Sequence, residues 1–209
     1  MAFDTWLAFF LACWVISLSP GAGAVASMSS GLSFGFRRGY WLALGLQLAL
    51  LLQIAVVAAG LGALLIASEA AFSLLKWCGV AYLLYLGWRQ WRVAANPVKL
   101  MPGSVDVSSR QLVLRGFLVN ASNPKAIVFI LAVLPQFIDP GQALLPQYLS
   151  LALTMVSVDL VVMAGYTGLA ARVLCQLRKP RQLQLLNRVF GALFGAAALL
   201  LAAVRQSAR

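Results

Sequence analysis

A lysine, an aspartate and three amides interrupt stretches of this 209-residue chain that are otherwise almost wholly apolar. They are Lys125, Asp159, Gln53, Asn120 and Asn123. A charged side chain at the centre of a bilayer helix costs about 2.5–3.5 kcal/mol on insertion scales. Such residues face a protein interior and mark a solute pathway or a proton relay. Lys125 can attract an anionic group, Asp159 can carry a proton, and the amides can donate and accept hydrogen bonds. A plainer reading also stands: Lys125 and Asp159 neutralise one another as a buried pair.

Two proline-centred breaks accompany these residues. One is Ser19-Pro20-Gly21-Ala22-Gly23; the other is Asn120-Ala121-Ser122-Asn123-Pro124-Lys125. Proline removes a backbone donor and clashes with the preceding turn. At membrane depth the freed carbonyls must be met by neighbours, water or a ligand. Pro20 and Pro124 are 104 residues apart. A matched pair of interrupted helices in two halves of a chain points to a binding site at the bilayer midplane.

The composition states what must hold these residues. Apolar residues make up 62% and charged residues 10%, with mean hydropathy +0.90. Soluble domains run at roughly 45–50% apolar and about 25% charged, so a soluble enzyme is excluded. The chain lacks histidine, and its three cysteines, Cys13, Cys78 and Cys175, form no CxxC pair. Neither a metal centre, a disulfide framework nor a resident cofactor is expected.

A bilayer core needs roughly 20 apolar residues per helix. Six spans are predicted, at 6–28, 40–66, 70–88, 115–137, 145–171 and 187–205. The runs are too long, and alternate too little, for strands. The fold class is therefore an all-α integral membrane protein with one transmembrane domain over 1–209. The one long loop, 89–114, separates two three-span repeats, about 1–95 and 110–209. Three is odd, so the second repeat inserts upside down relative to the first. At 1.5 Å per residue, Asp159 lies roughly 21 Å from one face, with Lys125 roughly 15 Å and Gln53 roughly 20 Å from the other. All three fall in one layer near the midplane.

Of sixteen Lys and Arg, twelve fall in the loops after spans one, three and five or at the span ends bordering them; Arg205 and Arg209 fall at and beyond the far end of span six. The positive side is cytoplasmic, so both termini are expected outside. Insertion topology accounts for the +11 charge, and no nucleic-acid partner is expected. Trp6 and Tyr148 are expected in the outer aromatic belt. Lys76, near the outer end of span three, is expected to reach that interface. The N-terminal segment carries Asp4 and no Lys or Arg before its apolar run, which argues against a cleaved signal peptide. Gly60, Gly62, Gly165, Gly168, Gly191 and Gly195 are expected to pack helices, within the chain or between copies in a homo-oligomer.

Along nearly its whole length the chain resembles the LysE/RhtB family of bacterial amino-acid exporters. The likeness rests on Ser19-Pro20-Gly21, Gly35-Phe36-Arg37-Arg38-Gly39, Leu75-Lys76-Trp77, and Gly116-Phe117 through Asn123-Pro124-Lys125 to Leu134-Pro135-Gln136-Phe137. It is nearest to exporters of homoserine and homoserine lactone. The resemblance implies a multi-pass exporter of the bacterial inner membrane, driven by protons. It implies small neutral amino acids or derivatives, such as homoserine, its lactone or threonine-like compounds, as substrates. Carried over by position, the substrate residues are Pro20, Gly21, Asn123, Pro124 and Lys125. Ser19, Gln53 and Asn120 join them from the burial argument, and Asp159 is the proton-coupling candidate. A passive small-solute channel and a membrane thiol–disulfide carrier are the alternatives. The carrier needs paired thiols, and the repeat offset pairs none of the cysteines.

Overall fold

The structure, a computed structural model, describes residues 3–19, 21–67, 69–92 and 107–176, and scattered positions between 184 and 202. Pro20 and most of the expected sixth span lie outside the described residues, as does the Lys76 side chain. The described elements are helical, with no strand among them. They are α1 (Phe3–Leu18), α2 (Ala22–Gly39), α3 (Trp41–Ala67), α4 (Glu69–Arg92), α5 (Ser109–Ala121), α6 (Pro124–Val133), a 3-10 turn (Leu134–Phe137) and α7 (Leu144–Gln176).

Among the described residues, two helices are long and apolar enough to cross a membrane alone: Trp41–Gly60 within α3 and Leu144–Gly168 within α7. Two bent pairs also qualify if each counts as one span: α1 with α2, at 56°, and α5 with α6 through Phe137, at 58°. Both bends fall where the sequence places its proline breaks. The helices on either side of the expected long loop extend beyond their expected bounds. Helix α4 runs on to Arg92, and α5 begins at Ser109 because Ser108 and Gln111 form a reciprocal cap. The Ser108 hydroxyl accepts from the Gln111 backbone N–H, and the Gln111 side-chain Oε1 accepts from the Ser108 backbone N–H. Such a cap stabilises a helix start by about 1 kcal/mol.

Helix α2 is interrupted at Gly35, whose φ of +72° lies in the left-handed region that a side chain disfavours by roughly 1–2 kcal/mol. The turn folds residues 36–39 back on the helix, where Ser30 donates to the Gly39 carbonyl at 3.0 Å. It also presents Arg38 to the start of α5, where its guanidinium donates to the Val107 carbonyl at 2.7 Å.

Two side-by-side pairings build the core. Helices α1 and α2 run alongside α7 in the same sequence order. The Trp6 indole donates to the Thr154 hydroxyl at 3.0 Å, Ser27 donates to the Met163 sulfur at 3.3 Å, and Gly31 lies against Thr167. Helix α3 runs alongside α5 likewise, and there the backbones approach most closely. A Cβ at Gly45 would lie 1.9 Å from the Val113 carbonyl oxygen, and one at Gly116 would lie 2.0 Å from that of Leu42. In lipid, helices associate through such close contact, because the tails are as apolar as leucine.

The glycines expected to pack helices do so only in part. Gly191 meets the backbone of Gly87, and Gly168 meets the Phe36 ring. Gly60, Gly165 and Gly195 have no neighbour within 4 Å among the described residues; Gly62 is without a described side-chain environment. Tyr148 also departs from expectation: it is 7% exposed and belongs to the core, so it is absent from the aromatic surface. Leu48, Leu52 and Val56 on α3 and Leu145, Leu149 and Leu153 on α7 are exposed at four-residue spacing. These outward apolar stripes suit acyl chains.

Candidate functional site

The two breaks meet. The last carbonyls of α1 have no partner within that helix, and side chains from the second half of the chain supply one. Lys125 Nζ donates to the carbonyls of Ile16 at 2.9 Å and Ser19 at 2.7 Å. The Tyr166 hydroxyl on α7 donates to the Leu18 carbonyl at 2.5 Å. Gly21 packs against the lysine stem: a Cβ there would lie 3.3 Å from Nζ and 3.5 Å from Cδ. The lysine thus bridges the start of α6 to the end of α1.

The second break is held from the other direction. The Gln53 amide on α3 donates to the Asn120 carbonyl at 2.9 Å. Asn120 Nδ2 donates to the Leu46 carbonyl at 2.9 Å. Asn123 Nδ2 donates to Asn120 Oδ1 at 3.3 Å, and Asn123 Oδ1 accepts from the Lys125 N–H at 3.1 Å. Asn123 is therefore the N-cap of α6, with Pro124 in its first turn. There the missing N–H of proline costs nothing.

A cavity of about 50 Å³ lies between the breaks. Ser19, Gly21, Asn120, Asn123, Lys125 and Asp159 line it, with Ser17 and the apolar side chains of Leu46, Leu50, Met155 and Met163. It is roomy enough for a few waters, each needing about 10–15 Å³. Asp159 Oδ2 accepts from Gln47 Nε2 at 2.6 Å, and Ser17 also hydrogen-bonds the carboxyl group. Ser19 is 1% exposed, and its hydroxyl has no hydrogen-bond partner among the described residues. A lysine, a carboxyl group and an unused hydroxyl thus share one small polar space inside an apolar bundle.

Of the residues singled out in the sequence, Ser19, Gly21, Asn120, Asn123, Lys125 and Asp159 come together on this cavity. Gln53 and Pro124 do not line it; Gln53 stands behind Asn120, and Pro124 shapes the start of α6. Pro20 is outside the described residues. Ser17, Gln47 and Tyr166 were missed. Gln47 is an amide in an uncharged span and could have been found by the rule that found Gln53. Serine and tyrosine are too common in membrane helices to stand out.

A second cavity, of about 460 Å³, opens at the ends of α1 and α7 among Phe3, Trp6, Gln142, Ala143, Pro146, Gln147 and Ser150. None of these residues is charged.

The homoserine/homoserine lactone efflux protein of Salmonella typhimurium is 43% identical over 207 residues, covering 99% of this chain and 100% of the relative. A membrane protein of Vibrio cholerae, named only as uncharacterized, is 42% identical over 205 residues, covering 98% and 100%. The leucine efflux protein of an Enterobacter species is 27% identical over 189 residues, 89% of each chain. No solved structure matches. Residues 14–204 match the LysE type translocator family, and the chain belongs to that family.

Proposed function

We propose that this protein exports small neutral amino acids or their derivatives, with homoserine, its lactone and threonine-like compounds as candidates. Export is across the bacterial inner membrane and is coupled to proton entry. The observation that carries the reading is the cavity where Lys125 and Asp159 meet the two helix breaks. The efflux relative at 43% identity supports the substrate class. Six spans in two inverted three-helix repeats, with both termini periplasmic, complete the proposal. The pairing of α1 and α2 with α7, and of α5 with α3, supports it. Each repeat's broken helix then packs on the second span of the other repeat.

A zwitterion offers an ammonium and a carboxylate. Backbone carbonyls at the end of α1 can accept from the ammonium, and Lys125 can pair with the carboxylate. Asp159 carries the proton. In its ionised form it accepts from Gln47 and Ser17. A proton arriving from the periplasmic side forms an O–H bond on the carboxyl group and weakens it as an acceptor for those two donors. Release of that proton to the cytoplasm restores both hydrogen bonds. The cycle exchanges one proton inward for one substrate outward.

Reconstituted liposomes loaded with a panel of amino acids and lactones test the reading. Accumulation against a substrate gradient when a pH gradient is imposed supports coupled export. Movement down the substrate gradient alone, unaffected by pH gradient, identifies a channel instead.

A further inference from the structure

The Lys125 ammonium already sits where a substrate ammonium would be held. Its two carbonyl partners, Ile16 and Ser19, lie 2.9 and 2.7 Å away at the broken end of α1. A C-terminal helix end carries partial negative charge and favours a cation. The Ser19 hydroxyl, buried and unpartnered, borders the same cavity and offers a third oxygen. Gly21 leaves no side chain between these oxygens and the cavity, and a methyl group there would press on Lys125 at 3.3 Å.

We infer that the Ile16 and Ser19 carbonyls form the ammonium subsite, and that Lys125 occupies it as a built-in surrogate until substrate displaces it. The inference rests on the export reading above and deepens it. Loading is then an exchange of partners. The substrate ammonium takes the two carbonyls, and the freed Lys125 ammonium pairs with the substrate carboxylate or donates to a lactone carbonyl. No cation is left in the apolar bundle without an oxygen partner at either stage. A ligand with an amine alone would displace Lys125 without offering it an acceptor of its own. A ligand with a carboxylate alone would leave the carbonyls bare. The exchange selects molecules carrying an amine together with a carboxylate or lactone carbonyl at the spacing of an α-amino acid.

The test is binding to the purified full-length protein in nanodiscs, read by tryptophan fluorescence or calorimetry. The probes are homoserine, its amino alcohol homoserinol, and the corresponding hydroxy acid lacking the amine. In the unsubstituted protein, homoserinol is expected to bind far more weakly than homoserine. Lys125→Met empties the cradle. If Lys125 fills it nine-tenths of the time, homoserinol should bind about tenfold more tightly to the variant. The hydroxy acid should gain nothing. Lys125→Gln, which keeps a weaker, neutral donor for the carbonyls, should show a smaller gain in the same direction and guards against a misfolded Met variant.

Equal binding of homoserinol and homoserine to the unsubstituted protein would overturn the inference. So would unchanged or weaker homoserinol binding in the folded variants. A homoserinol gain in the variants, with no homoserine transport by the unsubstituted protein in liposomes, would keep the cradle and refute the export reading.

Discussion

Lys125 Nζ lies 2.7 Å from the carbonyl oxygen of Ser19, a residue 106 positions earlier in the chain. That one contact joins the two helix breaks, because Lys125 is in the first turn of α6 and Ser19 directly follows α1. It also explains how a broken helix is tolerated at that depth. The carbonyls freed by the break at α1 are met by Lys125 and Tyr166, and those freed at α5 by Gln53 and the turn itself.

Replacing Lys125 with alanine removes two charge-assisted hydrogen bonds and leaves two carbonyls without a partner in the bundle. Each such bond contributes about 1.5–3 kcal/mol, and each orphaned carbonyl costs about 1–3 kcal/mol. Water entering the vacated space will recover part of this. The expected outcome is a clear fall in thermal stability in detergent and loss of transport. A variant with unchanged melting and unchanged transport contradicts the bridging role.

Gln47→Leu removes the 2.6 Å donor to Asp159 while roughly keeping side-chain volume. The carboxylate then loses one of its two hydrogen bonds. A bond to a charged group contributes about 1.5–3 kcal/mol, so the proton-loading step should change by at least tenfold. The measurement is the pH profile of transport in liposomes. Because Gln47 stabilises the ionised form, its loss should move the profile toward higher pH. A profile that stays in place shows that the contact does not govern the proton.

Gly116→Ala places a methyl group 2.0 Å from the Leu42 carbonyl and forces α3 and α5 apart. Overpacking typically costs about 1–3 kcal/mol. Gly60→Ala meets nothing within 4 Å among the described residues and serves as the control. Expression and melting temperature should fall for the first and hold for the second. Equal behaviour of the two would contradict the close α3–α5 approach.

A fluorescent reporter that matures only in the cytoplasm, fused after Arg209, should stay dark. The proposed six spans, with the positive loops inside, would place that end in the periplasm. A bright fusion would make the span count odd or invert the orientation.

Proline and glycine announced the breaks, because their backbone chemistry acts locally. The bends of 56° and 58° fall at those places. Lys125 and Asp159 were legible because charge in lipid is costly wherever the helix points. Helix phase was not legible. Gln47 and Gln53 are six residues apart, which turns them about 240° around one helix. Nothing in an all-apolar span says which of the two faces Asp159. The close approach at Gly45 and Gly116 was equally hidden, since a glycine that packs a helix and one that faces lipid read alike. Gly35 stood in a quoted motif, yet its left-handed φ depends on the chain folding back over Ser30.

Substrate accumulation in inside-out vesicles with an acidic lumen tests the central claim most directly, comparing the unsubstituted chain with Asp159→Asn. The asparagine keeps the shape and one acceptor for Gln47 but cannot take up a proton. The account predicts that gradient-driven accumulation of homoserine disappears in the variant while binding survives. Full gradient-driven accumulation by Asp159→Asn would contradict it.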